Sequence, residues 1–123
     1  MRYDKTSRRI FVGYGDGGIA IIEGDTGKNS ASIKLSAHPE AFVVEKDGSR
    51  IFVNVPNTSH IAVVDRAQAK VIATWKLDGA SGNFPIALDE GNHRLFVGCR
   101  SPGTLVVLDA QSGTVVARLA ISA

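Results

Sequence analysis

The fold of this chain is decided by residues 50–75, RIFVNVPNTSHIAVVDRAQAKVIATW. Three short apolar runs, rich in Val, Ile and Phe, are separated in this stretch by PNTS and by DRAQAK. Short β-branched runs predict strands, and the polar residues between them predict turns. Helical periodicity is absent over any useful length. The stretch therefore predicts three consecutive short strands.

The same pattern occurs three times along the chain. Its clearest copies are SRRIFVG at 7–13, GSRIFVN at 48–54 and NHRLFVG at 92–98. Two further apolar runs follow each copy, and one precedes it; the opening MRYDKTSR aligns with the preceding runs without a gap. The positions that mark the register are Phe11, Phe52 and Phe96, then Ile33, Trp75 and Leu119. Each unit thus reads strand, turn, strand, loop, strand, turn, strand.

Four short antiparallel strands in about 40–45 residues are typical of a β-propeller blade. We predict an all-β fold of three four-stranded antiparallel blades, a partial propeller, in one repeat domain over 1–123. The blades are expected at about 1–37, 38–80 and 81–123. A β-sandwich with coincidental internal similarity is the alternative, and the threefold recurrence in register argues against it.

The repeat resembles a known family. Arg-Ile-Phe-Val, a loop, Ile-Ala-Val-Val-Asp and then Val-Ile-Ala-Thr are similar to the YVTN-type propeller repeat of YncE-like and surface-layer-type bacterial proteins. Residues 50–75 and 94–119 match best. The resemblance implies a propeller fold and no particular function, because propellers host enzymes, ligand binders and scaffolds. Members usually have about seven blades and often an export signal, so the resemblance also implies that a periplasmic parent protein is an option.

Composition narrows the function classes. The net charge is +2 and the basic residues are scattered, which argues against a nucleic-acid partner. No apolar run approaches the ~20 residues that cross a bilayer, so no membrane partner is expected. The first ten residues, MRYDKTSRRI, lack the apolar core of a signal peptide, so the expected location is cytoplasmic. The single Cys99 forms no internal disulfide.

The end blades should each expose an apolar face, because a blade is normally covered by a neighbour on both sides. No capping segment is recognisable in the sequence. We therefore expect a homo-oligomer that associates through these faces. Two copies joined head to tail would close a six-bladed ring. An open or domain-swapped assembly is the alternative.

Chemically versatile residues should collect at one rim of the blades. The loop that leads into the first strand of a blade and the loop between its second and third strands share this rim, which we call the loop rim. Tyr14, Asp16 and Cys99 fall there, whereas the other rim receives tight turns such as 111–113. The predicted ligand-binding residues are His38, Glu40, Asn54, Asn57, His60, Asn83 and Arg100.

Each chemical motif on this rim has a structural alternative. His38 and Glu40 could ligate a metal or form an acid/base pair, but the third ligand is missing, and a hydrogen bond from His38 to a neighbouring loop is the alternative. Cys99 beside Arg100 could be an activated thiol or a packing residue. The glycine-rich 13–18 joins two strands and opens no helix, so it is not a phosphate loop. We expect no catalytic residue, no metal site and no cofactor.

The sequence thus favours a non-catalytic propeller module for binding or protein interaction, with an unidentified small molecule or protein as its ligand. Two alternatives remain open at this stage. One is a metal-assisted or acid/base enzyme whose site is completed only in an oligomeric ring. The other is a fragment of a larger propeller without an independent function.

Overall fold

The chain folds into twelve strands, arranged as three four-stranded antiparallel sheets, in a computed structural model that describes residues 1–121. Blade 1 contains β1 (Arg2–Asp4), β2 (Arg9–Tyr14), β3 (Gly18–Glu23) and β4 (Asn29–Lys34). Blade 2 contains β5 (Phe42–Val44), β6 (Arg50–Val55), β7 (His60–Asp65) and β8 (Lys70–Lys76). Blade 3 contains β9 (Ser81–Asp89), β10 (Arg94–Ser101), β11 (Gly103–Asp109) and β12 (Val115–Ala120). The predicted all-β fold of three four-stranded blades is confirmed; positions 122 and 123 of the expected third blade lie outside the described residues.

Within each blade the strands pair in chain order, so every connection is a hairpin. One short 3-10 helix, Pro56–Thr58, lies in the β6–β7 loop. A register shift interrupts the pairing of the third and fourth strands at the same repeat position in all three blades. The shift comes directly after Ile21 in blade 1, Val63 in blade 2 and Val107 in blade 3. An extra residue at such a bulge bends the strand, so the outermost strand of every blade carries the same bend.

In blades 2 and 3 an aspartate closes the turn between the third and fourth strands. The Asp109 Oδ1 atom accepts hydrogen bonds from the backbone N–H groups of Gln111 and Ser112, at 2.8 and 3.1 Å. These two bonds hold the pKa of Asp109 below its ordinary value. In blade 2, Asp65 Oδ1 accepts from the backbone of Gln68 at 2.9 Å. Both aspartates therefore stabilise turns at places where polar residues between the apolar runs predict them.

The apolar core lies between the blades. We call the side of each blade that carries Phe11, Phe52 or Phe96 its Phe face, and the opposite side its reverse face. The Phe face of blade 1 packs on the reverse face of blade 2 in one buried cluster, and the Phe face of blade 2 packs on the reverse face of blade 3 in another. The first cluster includes Phe11, Ile19, Ile21, Ile33, Ile51, Val53, Ala62 and Val64. The second includes Phe52, Ile61, Val63, Leu95, Val97, Val106 and Leu108.

Within residues 1–121, two apolar faces have no neighbouring blade. On the Phe face of blade 3, Leu119 is 50% exposed, whereas its equivalent Ile33 in the first interface is fully buried. On the reverse face of blade 1, Tyr3 and Tyr14 are 59% and 47% exposed. The three blades therefore form an arc with an uncovered apolar sheet at each end.

No helix within residues 1–121 has the length and apolar character required to cross a membrane.

Candidate functional site on the loop rim

The loop rim carries all seven predicted ligand-binding residues. Asn54 lies near the end of β6, His60 begins β7, Asn83 lies near the start of β9 and Arg100 lies near the end of β10. The segment between β4 and β5 carries His38 and Glu40, and the 3-10 helix carries Asn57. Three of these residues are buried and four reach solvent to some degree.

Asn54 and Asn83 form a polar connection between blades 2 and 3. Both side chains are fully buried. The Asn83 Nδ2 group donates to Asn54 Oδ1 at 2.9 Å and to the His60 carbonyl at 3.1 Å. Asn54 Nδ2 in turn donates to the Phe84 carbonyl at 2.9 Å. Asn83 Oδ1 is a buried oxygen that accepts no hydrogen bond from residues 1–121, so one polar atom of this interface is unsatisfied there.

His60 is the third buried member of this group, with 8% exposure. Its Nδ1 lies 2.5 Å from the Thr58 hydroxyl. Burial lowers the pKa of His60, the nearby Lys76 charge lowers it further, and a hydrogen bond with Thr58 opposes both effects. A neutral imidazole is therefore the form that this site favours.

His38 and Glu40 are brought together at the solvent side of the rim. The His38 Nε2 atom lies 3.9 Å from Glu40 Oε1, and the two side chains are 50% and 39% exposed. His38 Nδ1 contacts the carbonyl oxygen of Gly15, which is the loop contact considered as the structural alternative. The Glu40 backbone N–H donates to the Asn54 carbonyl at 2.9 Å, so the exposed pair and the buried network share one segment of the rim.

Arg100 and Cys99 lie at the blade 3 end of the rim and differ in accessibility. The Arg100 guanidinium stacks on the Phe84 ring, 4.2 Å from its centroid, while the side chain stays exposed. Cys99 is 3% exposed, and burial raises the pKa of its thiol although the Arg118 charge opposes this. A buried neutral thiol is a packing residue. Asn57 is exposed, and residues 1–121 contain no group of three or more His, Cys, Asp and Glu side chains that could hold a metal ion.

The opposite rim holds a contact that the sequence reading missed. The Glu90 carboxylate, from the β9–β10 turn, accepts hydrogen bonds from the consecutive backbone N–H groups of Lys46, Asp47 and Gly48 at 2.7, 2.8 and 3.1 Å. Burial alone would raise the pKa of Glu90, but these three donors hold it below its ordinary value. The available signal was a change of charge, because the equivalent repeat positions are Lys5 and Lys46.

Two arginines of blade 2 complete the connections on this rim. Arg66 Nη1 lies 3.4 Å from Asp4 Oδ2 of blade 1. Arg50 Nη1 donates to the Ala110 carbonyl of blade 3 at 2.7 Å, and its Nε donates to Glu45 at 2.9 Å. Blade 2 is therefore bonded to both of its neighbours at this rim.

A groove of about 1010 Å³ runs along the innermost strands of the three blades. Five acidic and three basic side chains line it, so acidic groups are in the majority. Its lining includes Arg2, Lys5, Lys46, Asp47, Asp89 and Glu90. It lies on the turn side of the blades, away from the residues that the sequence nominated.

Comparison with known proteins is informative about the fold alone. No family model matches the chain, and no curated protein matches it. Among solved structures, AztD from Citrobacter koseri superposes with TM-scores of 0.78 for its apo form and 0.80 for a second structure, each at 16% identity. U3-55K superposes with a TM-score of 0.83 at 15% identity.

The chain corresponds to a part of these proteins. The superpositions cover 98%, 98% and 96% of this chain but 34%, 34% and 37% of the matched chains. The chain thus spans about a third of the length of the structures that it resembles. Together with the three four-stranded sheets, this defines it as a set of β-propeller blades.

Proposed function

We propose that the chain is a YVTN-type, non-catalytic propeller module that binds partners and associates with a second copy of itself through its two uncovered blade faces. The observation that carries this proposal is the equivalence of the open faces to the buried ones. The buried interfaces inside the chain are built from the same repeat positions as the open faces at its ends.

The Phe face of blade 3 matches the Phe face of blade 2 position by position. Phe96, Leu105 and Val107 stand where Phe52, Ile61 and Val63 are buried, as the strand register shows. The reverse face of blade 1 likewise matches that of blade 2. Its residues are Ile10, Val12, Ala20 and Ile22, at the positions of Ile51, Val53, Ala62 and Val64.

An uncovered blade face favours a partner that presents the opposite type of blade face, as in the interfaces inside the chain. Burying apolar surface contributes about 25 cal/mol per Å², and large exposed apolar sheets are rare in isolated soluble proteins. The reverse face of blade 1 is equivalent to the reverse faces of blades 2 and 3, and a Phe face packs on each of those two within the chain. A second copy supplies that Phe face, so joining two copies head to tail covers both open faces of each.

Light scattering after size-exclusion chromatography tests the association. At tens of micromolar protein we expect a discrete species of twice the 13.0 kDa chain mass. A mass of 13.0 kDa at every concentration would refute the proposed self-association.

The loop rim is the proposed ligand-binding surface of the module. Its accessible groups are His38, Glu40, Asn57 and Arg100, whereas Asn54, His60 and Asn83 would support them from the buried side. A mixture of one imidazole, one carboxylate, one amide and one guanidinium suits a small polar ligand or a polar peptide segment. No proton transfer or bond cleavage is required of any of them.

Amide chemical shifts recorded against a library of small polar fragments test this surface. Fragments that bind should shift resonances on the loop rim, and the triple variant His38→Ala/Glu40→Ala/Arg100→Ala should lose the shifts while its circular dichroism stays unchanged. The Lys5→Ala variant, on the opposite rim, is the matched control. Shifts that persist in the triple variant would place binding elsewhere.

A further inference from the structure

We infer that the two copies join by packing the Phe face of blade 3 on the reverse face of blade 1, with Leu119 of one copy over Gly27 of the other. The inference rests on the proposed self-association and specifies its register. It follows from the contact of Trp75 with Gly113 and from the presence of the equivalent residues Ile33 and Ala69 at one apolar cluster.

In the interface between blades 2 and 3, a large side chain covers a glycine. Trp75 pairs with Ile61 across the strands of blade 2. Its ring lies so close to Gly113 that a Cβ atom added there would stand 2.4 Å from ring atom Cδ2. Gly113, in the β11–β12 turn, has a φ of 79°. The absence of a side chain at Gly113 therefore leaves the space that the Trp75 ring occupies.

In the interface between blades 1 and 2, both positions change size together. Ile33 stands at the repeat position of Trp75, since it pairs with Ile19 as Trp75 pairs with Ile61. Ala69 stands at the repeat position of Gly113, with a φ of 55°. Ile33 is fully buried in the first apolar cluster, and Ala69 packs against that cluster. A smaller outer-strand side chain is thus matched by a larger turn residue.

The two open faces carry the third outer-strand residue, Leu119, and the third turn residue, Gly27, of these repeat positions. Leu119 pairs with Leu105 at the same repeat position and is 50% exposed. Gly27, in the β3–β4 turn of blade 1, has a φ of 70°, and apart from its two chain neighbours no residue of 1–121 comes within 4 Å of the place where a Cβ would stand. A leucine side chain and an empty space above a glycine are complementary in size. A pairing of two Phe faces would instead bring together two outer-strand leucines without this turn.

Disulfide cross-linking tests the register. The variant Leu119→Cys/Gly27→Cys is prepared with Cys99→Ala, which removes the natural thiol. Mild oxidation should give a covalent dimer on a non-reducing gel, and each single cysteine variant should give far less. Ile33→Cys/Ala69→Cys, also prepared with Cys99→Ala, is the matched control within one chain, and it should lose its two free thiols on oxidation while its mass on the gel stays that of a monomer.

The outcomes separate the register from the association itself. A dimer by light scattering with a reactive Ile33→Cys/Ala69→Cys control, but without cross-linking of the Leu119→Cys/Gly27→Cys variant, would overturn the register and leave self-association standing. Efficient cross-linking of Leu119→Cys alone would show two Phe faces in contact and would also overturn it. A monomer at every concentration would refute the proposed self-association and the register with it.

Two charge variants provide a readout that does not depend on disulfide geometry. Leu119→Asp should weaken dimerisation by about tenfold or more, as expected for a central apolar residue. Val116→Asp is the matched control, because Val116 is 47% exposed on the same strand but lies at the bulge, where the pairing with β11 is interrupted. Equal weakening by both variants would contradict the inferred contact.

Discussion

The amide pair between blades 2 and 3 predicts unequal costs for two similar substitutions. Asn54→Ala removes the amide group that donates to the Phe84 carbonyl at 2.9 Å and the oxygen that accepts from Asn83 at 2.9 Å. The first loss leaves a carbonyl in the blade interface without that donor, at about 1–3 kcal/mol, and the second removes a bond of about 1 kcal/mol. We expect Asn54→Ala to lower the free energy of unfolding by about 2–4 kcal/mol.

Asn83→Ala should cost less, although its side chain is equally buried. It also loses two hydrogen bonds, to Asn54 and to the His60 carbonyl. It also removes Asn83 Oδ1, a buried oxygen with no hydrogen-bond partner among residues 1–121, but it leaves the buried Asn54 Oδ1 without its donor, so these two desolvation costs of about 1–3 kcal/mol nearly cancel. The loss of the donor to the His60 carbonyl remains, so the net effect should be about 1–3 kcal/mol, which is about 1 kcal/mol less than for Asn54→Ala.

Urea unfolding at one fixed protein concentration measures this difference. Trp75 is the single tryptophan and packs at the interface of blades 2 and 3, so its fluorescence reports on this region, while far-ultraviolet circular dichroism follows the strands. Asn57→Ala, at an exposed amide, should stay within about 0.5 kcal/mol of the native protein. If Asn83→Ala costs as much as Asn54→Ala, the assignment of the unpartnered oxygen is wrong.

Three further predictions concern the turns and the pH dependence. Gly113→Ala should lower the free energy of unfolding by about 2–4 kcal/mol, since it adds a clash with Trp75 to the strain of a positive φ. Gly27→Ala has open space around the new methyl group and should lower it by about 1–2 kcal/mol. Equal urea midpoints for the two variants would contradict the contact of Trp75 with Gly113. The pKa of Glu90 is lowered, so its contribution is present above its ordinary value of 4.5 and is lost as the pH falls below it. Glu90→Gln should therefore be less stable at pH 7 by about 1.5–3 kcal/mol and show a shallower loss of thermal stability towards pH 3, and an unchanged acid limb would rule this contribution out. The pKa of His60 is also lowered, so the stability of the native protein should fall as the pH drops below the ordinary histidine value of 6.5. In His60→Gln this fall should be missing when the urea midpoints at pH 7.5 and 5.5 are compared. A fall that persists in His60→Gln would show that another group causes it.

The blade register could be predicted because it depends on local pattern. A phenylalanine with similar neighbours recurs at Phe11, Phe52 and Phe96. The alternation of apolar and polar residues around it indicates which face of a strand is buried. The aspartates of the turns were predictable for the same reason, since Asp65 and Asp109 bond to backbone groups only a few residues away. Both partners of such a contact lie within one repeat, so the local sequence is enough to predict it.

The polar contacts between blades could not be predicted in this way. The sequence nominates Asn54 and Asn83 as ligand-binding residues, whereas the structure buries both and has Asn83 Nδ2 donate to Asn54 Oδ1 across 29 residues of chain. Glu90 was overlooked because its partners are backbone N–H groups, which every residue carries and no motif marks. The loop rim could therefore be located from the sequence, while the division into accessible and supporting residues required the tertiary structure.

The uneven distribution of polar contacts has a consequence for cooperativity. In a repeat protein, stability is approximately a sum of unit terms and nearest-neighbour coupling terms. The coupling of blade 2 to blade 3 includes the amide pair and the Glu90 carboxylate, whereas the coupling of blade 1 to blade 2 shares apolar packing of the same kind and has the Arg66–Asp4 ion pair. Blade 1 is thus the more weakly coupled unit and should detach first in partial unfolding. Its amide hydrogens would then exchange faster than those of β6, β7 and β10, and association with a second copy would slow them selectively.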